Sequence, residues 1–554
     1  MKIATFLLAT ASLPSLTRCF LPLWPPGPEA DARAVCSSLS SVHGNKVEWT
    51  KSSPQQQQQQ HPHLHLLQKQ QSTAYVSATR DYWNVINASK KPVCVFFPSS
   101  AEDVSSAVRA LMTYPAARFA LRSGGHNSNP GFSSVEGGVL IAFAPGLCSV
   151  EIADDEGSVL VGAGCKWDQV YSRLQPLGRT VVGGRMGDVG VTGFILGGGL
   201  SYLSGQYGLG CDNVLAFECV LANGTIVMAS PYKHPDLFFA LRGGGNQFAI
   251  VTRMLLRTFV VGDGGLVWGG VRIYAGNQRA ALFAAIANFT ASNRDNKAAI
   301  IPTFTIIDAF GLVQHFPIGV LFFFYDGRRA PPGVFDAFDA IPTIFSNTVT
   351  RPYLALTRQL LGGNFYKNLR VRLRVNAFPN MPVPAMSSFL ARHWDHVVST
   401  TSAAAADDRM DLRVFSFVLQ PIPRALAVAS MAAMPMPNAL GLDPDHGDRI
   451  WVQYDLAWAN PACDRFCALR LKKIVDGAKE VHRWGFAGIP PTNYRSGNLE
   501  YLSYNPLFMN EAMDDQPVLQ SYGDETHRAL KAFQRKYDPA GLLSTRQGGF
   551  TLGW

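Results

Sequence analysis

Three glycine-rich turns within about 125 residues constrain this chain more than any other feature. They are Arg122-Ser123-Gly124-Gly125-His126-Asn127, the run GGRMGDVGVTGFILGGG from Gly183 to Gly199, and Leu241-Arg242-Gly243-Gly244-Gly245-Asn246. Glycine has no side chain and tolerates positive φ, so backbone N–H groups at such turns approach a ligand closely and converge on one anion. A dinucleotide pyrophosphate is the natural guest. The two commonest nucleotide frames are nevertheless missing. Gly162-Ala163-Gly164 would begin a Rossmann fingerprint, but Trp167 stands where the third glycine belongs, and no acidic strand end follows at about 20 residues. No Walker-type phosphate loop occurs either. A nicotinamide-dependent dehydrogenase and a P-loop nucleotidase are both disfavoured.

Around these turns the chain is long and apolar. Its 554 residues suit two or three domains, and 47% hydrophobic against 16% charged residues can bury large cores. The net charge of +9 is scattered without a long basic run, so nucleic acid is not an expected partner. Lys2 precedes the apolar run Ile3 to Leu13, too short to span a bilayer and shaped like a secretory signal. Residues 1–20 are therefore expected to be a signal peptide, and the protein to be secreted or lumenal, with no membrane span. The sequons at Asn87, Asn223 and Asn288 fit a glycoprotein. Residues 21–80, with Pro22 to Pro28 and the tract Gln55 to Gln60, read as low-complexity linker. His61, His63 and His65 belong to that polar tract, and no metal site is expected. The nine cysteines contain no CxxC pair, and Cys463 with Cys467 read as packing residues.

Order is expected from Tyr82. Val93 to Phe97 reads as a strand, Ser99 with Glu102 as a capping box before a helix, and Arg118 to Leu121 as a second strand. Asn223-Gly224 between Leu215–Leu221 and Thr225–Ala229 is a hairpin signal. Further on, Leu369, Val371, Leu373 and Val375 alternate with Arg370, Arg372 and Arg374, a strand whose arginine face either is solvated, the weightier reading, or binds an anionic substrate.

The glycine clusters, with the segment DLFFALRGGGNQFAIVT at 236–252, resemble the berberine-bridge-enzyme-like FAD-linked oxidases, flavoproteins of the vanillyl-alcohol oxidase type. The likeness covers about residues 80–262 and, more weakly, 498–550. It implies an α+β fold: a two-subdomain FAD-binding domain at 81–262, a substrate domain at 263–495 whose antiparallel sheet is backed by helices, and a segment at 496–554 returning to the FAD domain. It implies FAD attached covalently through His126. It also implies cofactor contacts from Arg122, Ser123, Gly124, Gly125, Asn127, Gly187, Asp188, Val189, Gly190, Gly193, Gly198, Ile250 and Asn510, with Arg122 either facing the pyrophosphate or merely ending its strand. Met186 occupies the position where some relatives carry a second, cysteinyl link, so a single attachment is implied. Cys165 and Cys211 lie off that position and read as core residues, while Cys36 and Cys94 resemble a family disulfide. Many relatives carry Tyr-x-Asn near the C terminus; here the run is Phe508-Met509-Asn510. The lost phenol leaves Tyr504 or Tyr501, or a group from residues 262–495, as the base, and Tyr504 is the one selected. Val189 matches the residue that leaves room for O2. The implied activity is oxidation of an alcohol, sugar or secondary metabolite, with hydrogen peroxide released. The alternative is a flavin-binding protein with lost or altered catalysis.

Overall fold

The computed structural model of the chain describes residues 27–50, 71–307, 316–358, 366–405 and 411–553. The expected signal, the glutamine tract and the three histidines after it lie outside them.

Three sheets carry the architecture. The first is four-stranded, with β1 (Val47–Trp49), β2 (Cys94–Phe96), β3 (Phe119–Arg122) and β4 (Val139–Ala142) in the order β1-β2-β4-β3. The helix Ala101–Thr113 links β2 to β3 as the periodicity anticipates, yet both strands pair in parallel with β4, which inserts between them. The helix is capped one residue later than expected. Ser100 accepts from the amide of Asp103 at 3.3 Å, while the Asp103 carboxylate takes the Ser99 amide and Lys46. Order also starts well before Tyr82. The helix Pro28–His43, strand β1 and the helix Thr73–Arg80 all belong to the fold, and Ala32, Val35 and Leu39 are buried against β2 and the helix Ala101–Thr113. A Cys36–Cys94 disulfide ties that first helix to β2.

The second sheet is antiparallel, with β5 (Val150–Ile152), β6 (Ser158–Gly162), β8 (Val214–Val220), β9 (Ile226–Ala229) and β10 (Ile250–Arg257) in the order β5-β6-β10-β8-β9; a ribbon of β7 (Arg179–Thr180) and β11 (Phe259–Val260) lies outside it. The β8–β9 hairpin turns at Asn223-Gly224, where Gly224 takes φ +81°. Cys165, expected to be a simple core residue, is bonded to Cys148 and joins the segment after β6 to the one after β4. Cys463 and Cys467, expected only to pack, are likewise disulfide-bonded.

The third sheet has eight antiparallel strands: β12 (Leu266–Ala275), β13 (Ala298–Ile307), β14 (Phe316–Tyr325), β15 (Phe345–Ser346), β16 (Val349–Pro352), β17 (Arg370–Pro379), β18 (Val414–Ile422) and β19 (Arg449–Trp458). The order is β15-β12-β14-β13-β18-β19-β17, with β16 also on β12. Successive residues on a strand face opposite ways. Phe304, Phe417, Tyr454 and Leu456 pack with Phe283, Phe389, Trp394 and Ile474 from the helices Arg279–Ser292, Val383–Ala405 and Asp464–Gly485, leaving the alternate residues on the other face. The arginines of β17 are on the helix side and are not solvated. Arg370 pairs with Asp464, and Arg374, 4% exposed, pairs with Asp515 at 2.6 Å. Arg370 and Arg374 are counter-ions on the helix side, and Arg372 between them keeps a buried Nε and Nη1 without hydrogen-bond partners. The C-terminal segment packs back on the first sheet, Arg546 donating to the carbonyls of Leu111, Tyr114 and Ala117. The fold class is α+β, as expected.

Candidate active site

A cavity of about 470 Å³ lies between the glycine loops and the free face of the eight-stranded sheet. The first loop leaves β3 and contributes Ser123, Gly124, Gly125, His126 and Asn127; the second contributes Met186, Val189, Gly190 and Gly193; the third contributes Gly245 and Asn246. Backbone touches backbone between the first two. A Cβ on Gly124 would fall 2.4 Å from the Gly190 nitrogen, and one on Gly190 would fall 2.4 Å from the Gly124 nitrogen. No other residue type is tolerated at either position. Ser123 and Thr192 both donate to the carbonyl of Ala163, at 2.7 and 2.9 Å, which pins the two loops to the end of β6. The third loop is set by Arg242, fully buried and paired with Asp212 at 3.4 Å.

His126 stacks on Trp83, with ring centroids 4.9 Å apart. Burial lowers its pKa, opposed only in part by Asp188 at 3.9 Å, so the imidazole is neutral at physiological pH. Its Nε2 is buried with no hydrogen-bond partner, an unsatisfied nitrogen of the kind that calls for an explanation. Asn510 also lines the cavity. Its Oδ1 accepts from the Gly199 amide at 3.1 Å and its Nδ2 donates to the Gly193 carbonyl at 3.0 Å, fastening the C-terminal segment to the second glycine loop. Phe508 stacks on Trp451 at 4.5 Å and presents its ring to the same space.

Six of the expected site residues are not in the cavity wall. Arg122 lies over the Tyr82 ring at 4.5 Å and donates to the Asp81 carbonyl at the end of its strand. Gly187 is held between Thr357 and Asp168 through its own amide and carbonyl, Asp188 stands beside His126, and Gly198, at φ +104°, packs on Leu440. Ile250 is buried in the core of the first sheet, while its neighbours Ala249 and Val251 line the cavity, the outcome of a period of two. Tyr504, the selected base, is corrected most clearly. Its hydroxyl accepts from the Asp443 amide and donates to the Gly441 carbonyl, both at 2.8 Å, its ring stacks on His446 at 3.9 Å, and burial pushes the phenol up to about 12.

The ionisable groups that do line the cavity include Asp455 from the sheet, Tyr366 from the segment before β17 and Glu511 from the C-terminal segment. Asp455 on β19 accepts from Gln453 at 2.7 Å and from the Tyr366 hydroxyl at 3.2 Å, and Tyr366 shares a 2.6 Å hydrogen bond with Ser416 on β18. Burial raises the Asp455 carboxyl to about 7 and the Tyr366 phenol well above its usual value. A second carboxyl, Glu511, is also raised to about 7 by burial, with the Arg185 guanidinium and a Gln420 hydrogen bond opposing. One sequence signal existed for Asp455: Gln453 and Asp455 are polar residues two apart in the otherwise apolar strand Ile450 to Trp458. Tyr366 and Arg185 had none.

A large planar cofactor with a pyrophosphate fits this arrangement: glycine loops with little room for Cβ atoms line the cavity together with His126, whose buried Nε2 has no hydrogen-bond partner. Together these features define an FAD-dependent oxidoreductase. Residues 92–230 match the family model described as an FAD binding domain. Over 492 residues the chain is 33% identical to an uncharacterised FAD-linked oxidoreductase of Arthroderma benhamiae, covering 87% of this chain and 91% of that one. Over 481 residues it is 32% identical to the bifunctional solanapyrone synthase of Alternaria solani, covering 84% and 82% of the two chains. Glucooligosaccharide oxidase of Acremonium strictum shares the fold with a TM-score of 0.63 at 18% identity, over 92% of this chain and 97% of that one. The chain belongs to the FAD-linked oxidoreductases, and its fold is the one seen in berberine bridge enzyme, with a TM-score of 0.62 at 15% identity over 93% of this chain and 99% of that one.

Proposed function

We propose that this protein is an oxidase that converts a hydroxyl-bearing small molecule to its carbonyl, with FAD held covalently through His126 and O2 as the terminal acceptor. One observation carries the reading: the neutral ring of His126 and the Asp455–Tyr366 pair line one cavity. A neutral imidazole is a nucleophile, and it would hold the cofactor through the flavin 8α-methyl. Met186 lines the same wall but has no thiolate to offer, so the attachment is single. Bound FAD supplies the hydride acceptor. Asp455, oriented by Tyr366 and Gln453, takes the hydroxyl proton; the substrate loses two hydrogens in all, and these leave on O2 as hydrogen peroxide. Val189, in the wall of the second loop, keeps the approach for O2 open.

The setting we propose is a tailoring step in secondary metabolism, supported by the likeness to a relative named as a synthase of solanapyrone. Transit through an oxidising, glycosylating compartment is supported by three disulfides and by exposed Asn223 and Asn288. Asn87 is a poor acceptor, being fully buried with its amide on the Asn127 carbonyl. The rival reading, a flavin-binding protein without turnover, rests on Phe508. It loses ground because Asp455 and Tyr366 supply the ionisable groups that Phe508 lacks. Two measurements test the oxidase: colour retained in the acid-precipitated protein, and anaerobic bleaching of the flavin by a panel of alcohols. Colourless precipitate removes the covalent link, and a flavin that no alcohol reduces removes the oxidase.

A further inference from the structure

The cavity-facing side of the eight-stranded sheet is divided along its strands by polarity. Cross-strand partners make two rows. One runs Ile318, Thr305, Ser416, Asp455; the other runs Ile273, Val320, Thr303, Val418, Gln453. The first row passes from Ile318 on β14 to Ser416 and Asp455 on β18 and β19; the second is apolar from Ile273 to Val418 except at Thr303 and turns polar at Gln453 on β19. Phe322 and Ile301 extend the apolar half along β14 and β13. Tyr366 joins the polar half through Ser416 and Asp455. Thr305 marks the boundary in the first row and spends its hydroxyl on Ser416 at 3.2 Å, while Thr303 stands between Val320 and Val418 in the second.

From this division we infer that the substrate is an alcohol with an extended apolar body, its hydroxyl on Asp455 and Tyr366 and its body along β13, β14 and β12, and that it is not an oligosaccharide. The inference rests on the oxidase reading for the role of the hydroxyl. A sugar ring carries a hydroxyl on most of its carbons. Over Ile273, Ile301, Ile318, Val320 and Phe322, the described side chains would leave those hydroxyls without partners, since the backbone groups of these strands are spent in the ladder. An apolar body meets no such penalty there and gains from leaving water. Three strand spacings separate β19 from β14, about 14 Å, which matches an alcohol whose chain is about 10 to 15 carbons long.

The test uses the flavin-loaded enzyme with farnesol, cellotriose and farnesyl methyl ether, the last having no hydroxyl to oxidise. Binding is followed by calorimetry and by perturbation of the flavin spectrum, and reduction by anaerobic stopped flow. Farnesol and its ether are expected to bind at least about 100-fold more tightly than cellotriose. Val320→Thr, which keeps shape and adds a hydroxyl, is expected to weaken farnesol about tenfold, or about 1.4 kcal/mol. Ile318→Thr serves as a second site should Val320→Thr fold poorly. Cellotriose binding as tightly as farnesol, or farnesol affinity unmoved in both variants, would overturn the inference. Should the ether bind tightly while no alcohol reduces the flavin, the apolar site stands and the oxidase reading falls. Reduction by cellotriose alone leaves the oxidase standing and sinks the apolar substrate.

Discussion

Asp455→Asn is expected to move stability and turnover in opposite directions. Burial raises this carboxyl to about 7 in the folded protein, against about 3.9 in an unfolded chain. Between those values the native state binds the extra proton, so stability falls as pH rises from about 4 to about 7 and stays lower above it. Three pH units at about 1.4 kcal/mol each make the ionised side chain cost about 4 kcal/mol at pH 8. Asparagine cannot ionise, and it keeps both partners: its oxygen accepts from Gln453 and its amide donates to the Tyr366 oxygen. With an unfolding entropy of about 2.1 cal/mol/K per residue, the gain is worth about 3 °C in Tm for a chain of this length. The Tm difference between variant and parent should be near zero at pH 4 and reach its full value by pH 8, as read by calorimetry of the flavin-loaded proteins. Over the same range the parent's rate of flavin reduction should rise about tenfold per pH unit and level off near pH 7, and the variant should lose about 10²- to 10⁴-fold, the scale of a missing general base. A variant that reduces its flavin at the parental rate removes Asp455 from the chemistry. A Tm difference that does not depend on pH shows that burial does not hold the carboxyl near 7.

His126→Ala should leave FAD bound but extractable by acid, because the glycine loops persist without the ring; colour that stays with the precipitate would exonerate that histidine. Val189→Leu adds one methylene to a close-packed wall and should slow reoxidation of the reduced protein by O2, read by stopped flow, with reduction unchanged. Equal reoxidation rates would mean the gate lies elsewhere. Tyr504→Phe should alter flavin reduction by less than about twofold, since its hydroxyl is spent on Gly441 and Asp443 outside the cavity; a loss of about 10²-fold would return it to the mechanism.

What was legible beforehand shares a property: each feature is a local demand of the backbone. Gly124 and Gly190 stand out because only glycine survives a backbone contact so close, and Asn223-Gly224 because a two-residue hairpin needs positive φ. His126 and Asn510 were readable because they ride on or dock against those loops. The selection of Tyr504 failed for the opposite reason. A phenol near the expected position in sequence is still free to turn either way, and here the contacts with His446, Gly441 and Asp443 turned it away.

The amino-acid sequence by itself determined the kind of cofactor surface this protein builds, because converging amides depend on residues adjacent in the chain. It determined the Asn-Gly turn and the alternation of β17 for the same reason. Only the tertiary structure decided which groups meet the substrate. Asp455, Ser416 and Tyr366 come from three separate segments, brought together by the register of β18 on β19 and by a side-chain hydrogen bond. It also decided that Arg370 and Arg374 pair with Asp464 and Asp515 and that Cys148 finds Cys165. Charge and polarity along a strand fix a period, but which face meets the helices and which the cavity is set by packing between distant segments.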